Sequence, residues 1–115
     1  MNFFGRKDTF SNITPAELEQ RLAAGEALTL LDVREPYEYT EAHLKGSLLI
    51  PLDQLSLRLA EVPKDKPIVA VCRSGNRSGV AASLLQRAGF TNIFNLKGGL
   101  VEWARQGLPV QRGRS

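Results

Sequence analysis

A single cysteine in 115 residues excludes any internal disulfide, so the chain must hold its fold by packing alone. One unpaired thiol fits a reducing compartment. The opening segment MNFFGRKDTF has no apolar core of the kind a secretory signal carries. No hydrophobic run approaches the ~20 residues needed to span a bilayer. These absences lead us to expect a soluble, cytoplasmic protein with no membrane partner. A single histidine, His43, and a single cysteine leave too few soft ligands for a metal site, and no cofactor is expected.

What is present is enough for a core. Hydrophobic residues make up 43% of the chain, which a disordered segment does not reach. The length fits one domain, 1–115, with its core at about 13–110 and short, flexible basic ends. Net charge is +3, but four basic residues, Arg6, Lys7, Arg112 and Arg114, lie in the terminal segments. The body is then close to neutral, with no basic helix face, so nucleic acid is not an expected partner.

Along the chain, helical and strand signals alternate. Thr14, Pro15 and Glu17 form a capping box before Leu18 and Leu22, and Gly25 is the stop. The apolar run 28–33 reads as a strand buried on both faces, and 47–52, closed by Pro51, as a second. A brief helical turn is expected after Pro36, and His43 is expected to cap or brace the turn that follows. Asp53 is placed as the cap of a helix in which Leu55 and Leu59 share a face. Residues 67–71 form the most central strand, 77–89 a helix ended by Gly89, 92–96 a final strand and 98–107 a last helix holding Trp103 in the core. This alternation specifies an α/β fold with a mostly parallel sheet between helices, whose ligands bind beyond the carboxyl ends of the strands.

Cys72 stands at such a strand end, in the sequence CRSGNRS. A lone cysteine is ordinarily a small core hydrophobe. A filler, however, has no need of a glycine loop, two arginines and the start of a helix immediately after it. Successive N–H groups in such a loop converge on an anion, and the helix start adds partial positive charge. Arg73 and Arg77 supply guanidinium groups, while Ser74, Asn76 and Ser78 can brace the loop around Gly75. All of these favour the thiolate, so Cys72 is the expected nucleophile, and Arg77→Ala is expected to slow its alkylation. Asp32 ends another strand nearby. It reads as a carboxylate that braces the loop or pairs with Arg34, a structural rather than a catalytic role.

The loop CRSGNRS between a strand and a helix resembles the active-site loop of the rhodanese family, the thiosulfate sulfurtransferases. Three further segments resemble that family in order: LLDVREPYEYTEAHLKGSLLIPL, GFTNIFNLKGG and GGLVEWARQGLPV. The resemblance covers about 13–110 and implies a rhodanese-like fold with a central five-stranded parallel sheet and helices on both faces. It further implies that Cys72 takes a sulfane sulfur from thiosulfate, or a related donor, as a persulfide and passes it to cyanide or a thiol. Arg73, Ser74, Gly75, Asn76, Arg77 and Ser78 would bind the substrate, with Arg73 and Arg77 on its sulfonate. Because no second cysteine exists, the acceptor must come from outside, as a small molecule or a protein thiol. A mercaptopyruvate donor ranks below thiosulfate, because Arg73 stands where those enzymes typically carry a glycine. Two other classes stay open: a sulfur-relay or interaction module serving a dedicated partner, and a cysteine-dependent phosphatase or arsenate reductase. The phosphatase loop is one residue longer than the four residues, Arg73 to Asn76, that separate Cys72 from Arg77 here, which ranks that class lower.

Overall fold

The computed structural model describes residues 10–114. Its centre is a five-stranded, all-parallel sheet in the order β1-β5-β4-β2-β3, where β1 is Ser11–Ile13, β2 Thr29–Asp32, β3 Leu48–Leu49, β4 Ile68–Val71 and β5 Ile93–Leu96. The helices are α1 (Pro15–Ala23), α2 (Pro36–Glu41), α3 (Leu52–Leu55), α4 (Asn76–Arg87) and α5 (Gly99–Arg105). Among the described residues no helix is long and apolar enough to cross a membrane.

Strand side chains alternate between two apolar layers, as the pleat requires. Leu31, Ile68 and Ile93 pack with Leu55 of α3 and Ala81, Ala82 and Leu85 of α4 on one face. Leu30, Val69, Val71 and Leu96 pack with Leu18 of α1 and Leu100 and Trp103 of α5 on the other. Of the three inner strands, β2 and β4 are buried at every position and β5 at all but Phe94, as parallel strands covered on two faces should be. Trp103 is in the core as expected, and its ring N–H donates to the Pro109 carbonyl at 2.9 Å. The Thr14 box forms in full: Glu17 N–H donates to the Thr14 hydroxyl at 3.1 Å, and Thr14 N–H to the Glu17 carboxylate at 2.9 Å.

Three expectations are corrected. The stretch 47–52 contributes only a two-residue, half-buried edge strand, because beyond Leu49 the backbone bends away after Ile50 N–H and Leu52 N–H bond to Asp32 and Val33 carbonyls. Asp53 is not a cap: α3 starts at Leu52 behind Pro51 and stops after one turn. Leu59 belongs to a separate 3₁₀ turn, Leu59–Glu61, so it continues no face from Leu55. The carboxyl-terminal basic arm makes backbone contacts with the end of α2. Gln111 exchanges two backbone hydrogen bonds with His43, Gly113 N–H donates to Thr40 at 2.8 Å, and Arg112 donates to the Glu41 carbonyl at 3.1 Å. Arg6 and Lys7 lie outside the described residues. His43 is fully buried, stacks on Tyr39 at 3.7 Å and has Nδ1 2.7 Å from the Tyr39 carbonyl oxygen, which fixes the end of α2 against this arm.

Candidate functional site

Strand β4 delivers Cys72 to the carboxyl edge of the sheet, the region where open α/β sheets bind ligands. The chain then turns through Gly75, the N-cap of α4, at φ +105°. A residue with a side chain rarely adopts that conformation, and here it aims the Gly75 N–H at the sulfur, 3.0 Å from Sγ. Ser78, in the first turn of α4 and fully buried, directs its hydroxyl at Sγ from 3.2 Å.

Cys72 is only 1% exposed. Burial pushes its thiol up. The Ser78 hydroxyl and the N–H groups of Ser78, Gly75 and Ser74 pull it down further, and the outcome lies below the ordinary thiol value. The Ser78 hydroxyl and the loop N–H groups thus depress this thiol, and Arg77 is near enough to share a Coulombic attraction with the thiolate.

The seven residues of the loop separate into distinct roles. Gly75, Ser78 and the Ser74 N–H face the sulfur. The side chains of Arg73, Ser74 and Asn76 are exposed at the mouth, and Arg73 forms no ion pair with the described residues. Arg77 is committed elsewhere: both its terminal nitrogens donate to Glu38 of α2, at 2.8 and 2.9 Å. The guanidinium holds the Glu38 carboxyl at about 2, against partial burial, with a further bond from the Glu35 N–H, and Glu38 in turn raises Arg77. Glu38 contributes stability that is complete above its ordinary value near 4.5 and is lost as the pH falls toward 2. Urea midpoints of the wild type should therefore fall between pH 5 and 3 more steeply than those of Glu38→Gln. Parallel acid limbs would show that the pair does not contribute.

Asp32 sits behind the site, while Arg34, paired with it, also lines a shallow cavity with Arg73, Glu38 and Ala42. Asp32 is fully buried and accepts from Arg34 through its side chain at 2.9 and 2.8 Å and through its backbone N–H at 3.1 Å. Arg34 also donates to the Ala42 carbonyl at 2.7 Å, tying the end of β2 to the end of α2. Since Asp32 is in register with Val71, this clamp fixes the strand edge from which Cys72 emerges.

Two residues escaped the sequence reading. Glu38 gives no local sign of its partner, which lies 39 positions away. Asn95, a buried polar residue in β5, accepts from the Ser78 hydroxyl at 2.5 Å and donates to the Gly75 carbonyl at 3.2 Å. Its signal was available, since an amide inside an otherwise apolar strand needs buried partners.

Comparison with known proteins agrees with this geometry. The sequence profile of the Rhodanese-like domain matches residues 14–106. A sulfurtransferase of Allochromatium vinosum is 39% identical over 100 residues, spanning 87% of this chain and 94% of that one. The probable adenylyltransferase/sulfurtransferase MoeZ of Mycobacterium tuberculosis is 41% identical over 101 residues, 86% of this chain and 26% of the longer protein. The crystal structure of a rhodanese-related protein from Thermoplasma volcanium superposes with a TM-score of 0.82 at 33% identity, covering 89% of this chain and 98% of the other. With its five-stranded parallel sheet and its cysteine loop in place, the chain belongs to the Rhodanese-like domain family.

Proposed function

We propose that this protein is a sulfurtransferase that carries a sulfane sulfur on Cys72. One observation carries the reading: a recessed sulfur faced by the Gly75 N–H, the Ser78 hydroxyl and the N–H groups of Ser74 and Ser78. Such a cradle stabilises negative charge on Cys72 and, one sulfur further out, the charge of a persulfide. The Cys72 thiolate attacks the outer sulfur of thiosulfate, a carbon–sulfur–sulfur linkage forms, and the S–S bond of the donor breaks with its electron pair leaving on sulfite. Cyanide or a thiolate then attacks the outer sulfur of the persulfide and restores the Cys72 thiolate. Arg73, exposed and without a carboxylate partner, is the guanidinium available to a sulfonate. Arg77 is already paired with Glu38 and acts by holding α2 over the site.

A protein thiol as acceptor remains a second reading. The chain has no other cysteine to resolve the persulfide, and the MoeZ relative places a matching segment within a longer protein. Intact-mass spectrometry after thiosulfate treatment tests the central step. The wild type should gain one sulfur atom and Cys72→Ser none; no gain on either would remove the catalytic reading. Subsequent cyanide should release thiocyanate and return the original mass. Hydrolysis of an aryl phosphate in preference to sulfur transfer would assign the loop to phosphatase chemistry instead.

A further inference from the structure

We propose that Asn95 is a positioning residue for Cys72, competing with the sulfur for the one proton of the Ser78 hydroxyl. The proposal rests on the reading of Cys72 as the reacting sulfur, but its geometry is independent of the donor. Ser78 Oγ lies 3.2 Å from Cys72 Sγ and 2.5 Å from Asn95 Oδ1. A hydroxyl has a single proton, so it donates to one of the two at a time. The amide cannot relieve the competition by turning over. Its Nδ2 lies 3.2 Å from the Gly75 carbonyl, which only accepts, and 3.4 Å from Asn12 Oδ1. Oδ1 is thereby fixed toward Ser78 as an acceptor.

The two positions of the hydroxyl match two states of the sulfur. With Cys72 as a thiol, the Ser78 proton lies on Asn95 and the Ser78 oxygen offers a lone pair to the S–H. When the thiol ionises, its proton leaves to solvent and the sulfur becomes an acceptor only. The hydroxyl then turns to Sγ, and the Ser78 and Asn95 oxygens face each other with no proton between them, a repulsive contact unless they separate. Once a second sulfur is attached, the charge moves to the outer atom and Sγ is neutral again, so the hydroxyl can return to Asn95. Asn95 thus disfavours the empty thiolate relative to both the thiol and the persulfide. It biases the resting protein toward the loaded form.

The pH dependence of Cys72 alkylation by iodoacetamide reads this directly, whether or not the protein takes up sulfur. Asn95→Leu keeps the volume and removes Oδ1, which frees the hydroxyl for the sulfur. The alkylation midpoint should fall by about half a unit to one unit. Ser78→Ala should raise the midpoint, and in that background Asn95→Leu should have no further effect. Asn95→Ala provides the same test, and urea midpoints report whether each variant folds. A midpoint that stays put or rises in both Asn95 variants overturns the proposal. So does a shift of equal size in the Ser78→Ala background, since the amide would then act as a structural prop for Gly75. Loss of persulfide formation with the alkylation shifts intact would strike the sulfur-transfer reading and leave this one standing.

Discussion

Gly99→Ala is expected to cost roughly 3 kcal/mol or more of stability and to remove most sulfur transfer with it. Gly99 opens α5 at φ +60°, and a Cβ there would stand 2.6 Å from the Cys72 carbonyl oxygen and closer still to that of Arg73. These are backbone atoms, so no side chain can swing aside to make room. They are also held in place from α5 itself: Leu100 N–H donates to the Cys72 carbonyl at 2.9 Å and Val101 N–H to the Arg73 carbonyl at 3.0 Å. A methyl group at 99 therefore wedges apart the two bonds that fix the first residues of the loop, and the N–H groups that follow lose their aim at Sγ. Gly107 is the control. It has a similar φ of +74°, but apart from its two chain neighbours nothing lies within 4 Å of where its Cβ would be. Gly107→Ala should then show only the left-handed backbone strain, about 1–2 kcal/mol, with the alkylation rate of Cys72 unchanged. Urea midpoints and alkylation rates on both variants decide the matter. Equal effects would mean that the approach of α5 to the loop does not govern the site.

The difference between these glycines marks the limit of what could be read from the residues alone. Features set by neighbours in the chain were legible. The Thr14–Glu17 box, the strand ending at Val71 and the turn through Gly75 into a helix all follow from local stereochemistry, and they already place Cys72 at the sheet edge. Strand β1 was not legible from periodicity: Ser11 and Asn12 are exposed and only Ile13 is buried, too little for a strand signal. It forms because Phe94, Asn95 and Leu96 of β5 offer a free edge. The error at Asp53 has the same origin. A favourable cap residue sits in the first turn of a helix that starts at Leu52, two residues before the expected Gln54, behind Pro51. In the site, the loop, its converging N–H groups and the helix start were legible, and the two arginines were expected to share in the field. What the residues alone did not show is that Glu38, far away in the chain, engages Arg77, and that the Ser78 hydroxyl is aimed at the sulfur.

Arg34→Met carries the other large effect, and it tests whether the support behind the loop is electrostatic. Asp32 and Arg34 are 0% and 5% exposed, and their charges are compensated almost wholly by each other. Removing the guanidinium leaves a buried carboxylate whose one remaining hydrogen-bond donor among the described residues is the backbone N–H of residue 34, and frees the Ala42 carbonyl. Stranding one member of a buried ion pair typically costs 3–5 kcal/mol, a large share of the ~5–15 kcal/mol by which a domain is stable. Pairing the change with Asp32→Asn removes the stranded charge while an amide oxygen can still accept from the backbone, so the double variant should recover a substantial part of the loss. The recovery should extend to chemistry as well as to unfolding. Asp32 lies beside Val71 in the sheet, and Val33 N–H donates to the Val71 carbonyl at 3.0 Å, one residue before Cys72. A displaced β2 end would drag the nucleophile with it. Alkylation rates of Cys72 should accordingly fall in Arg34→Met and return in the double variant along with the urea midpoint. If stability returns and the rate does not, the guanidinium serves the site through the cavity it lines with Arg73, and not only by holding Asp32.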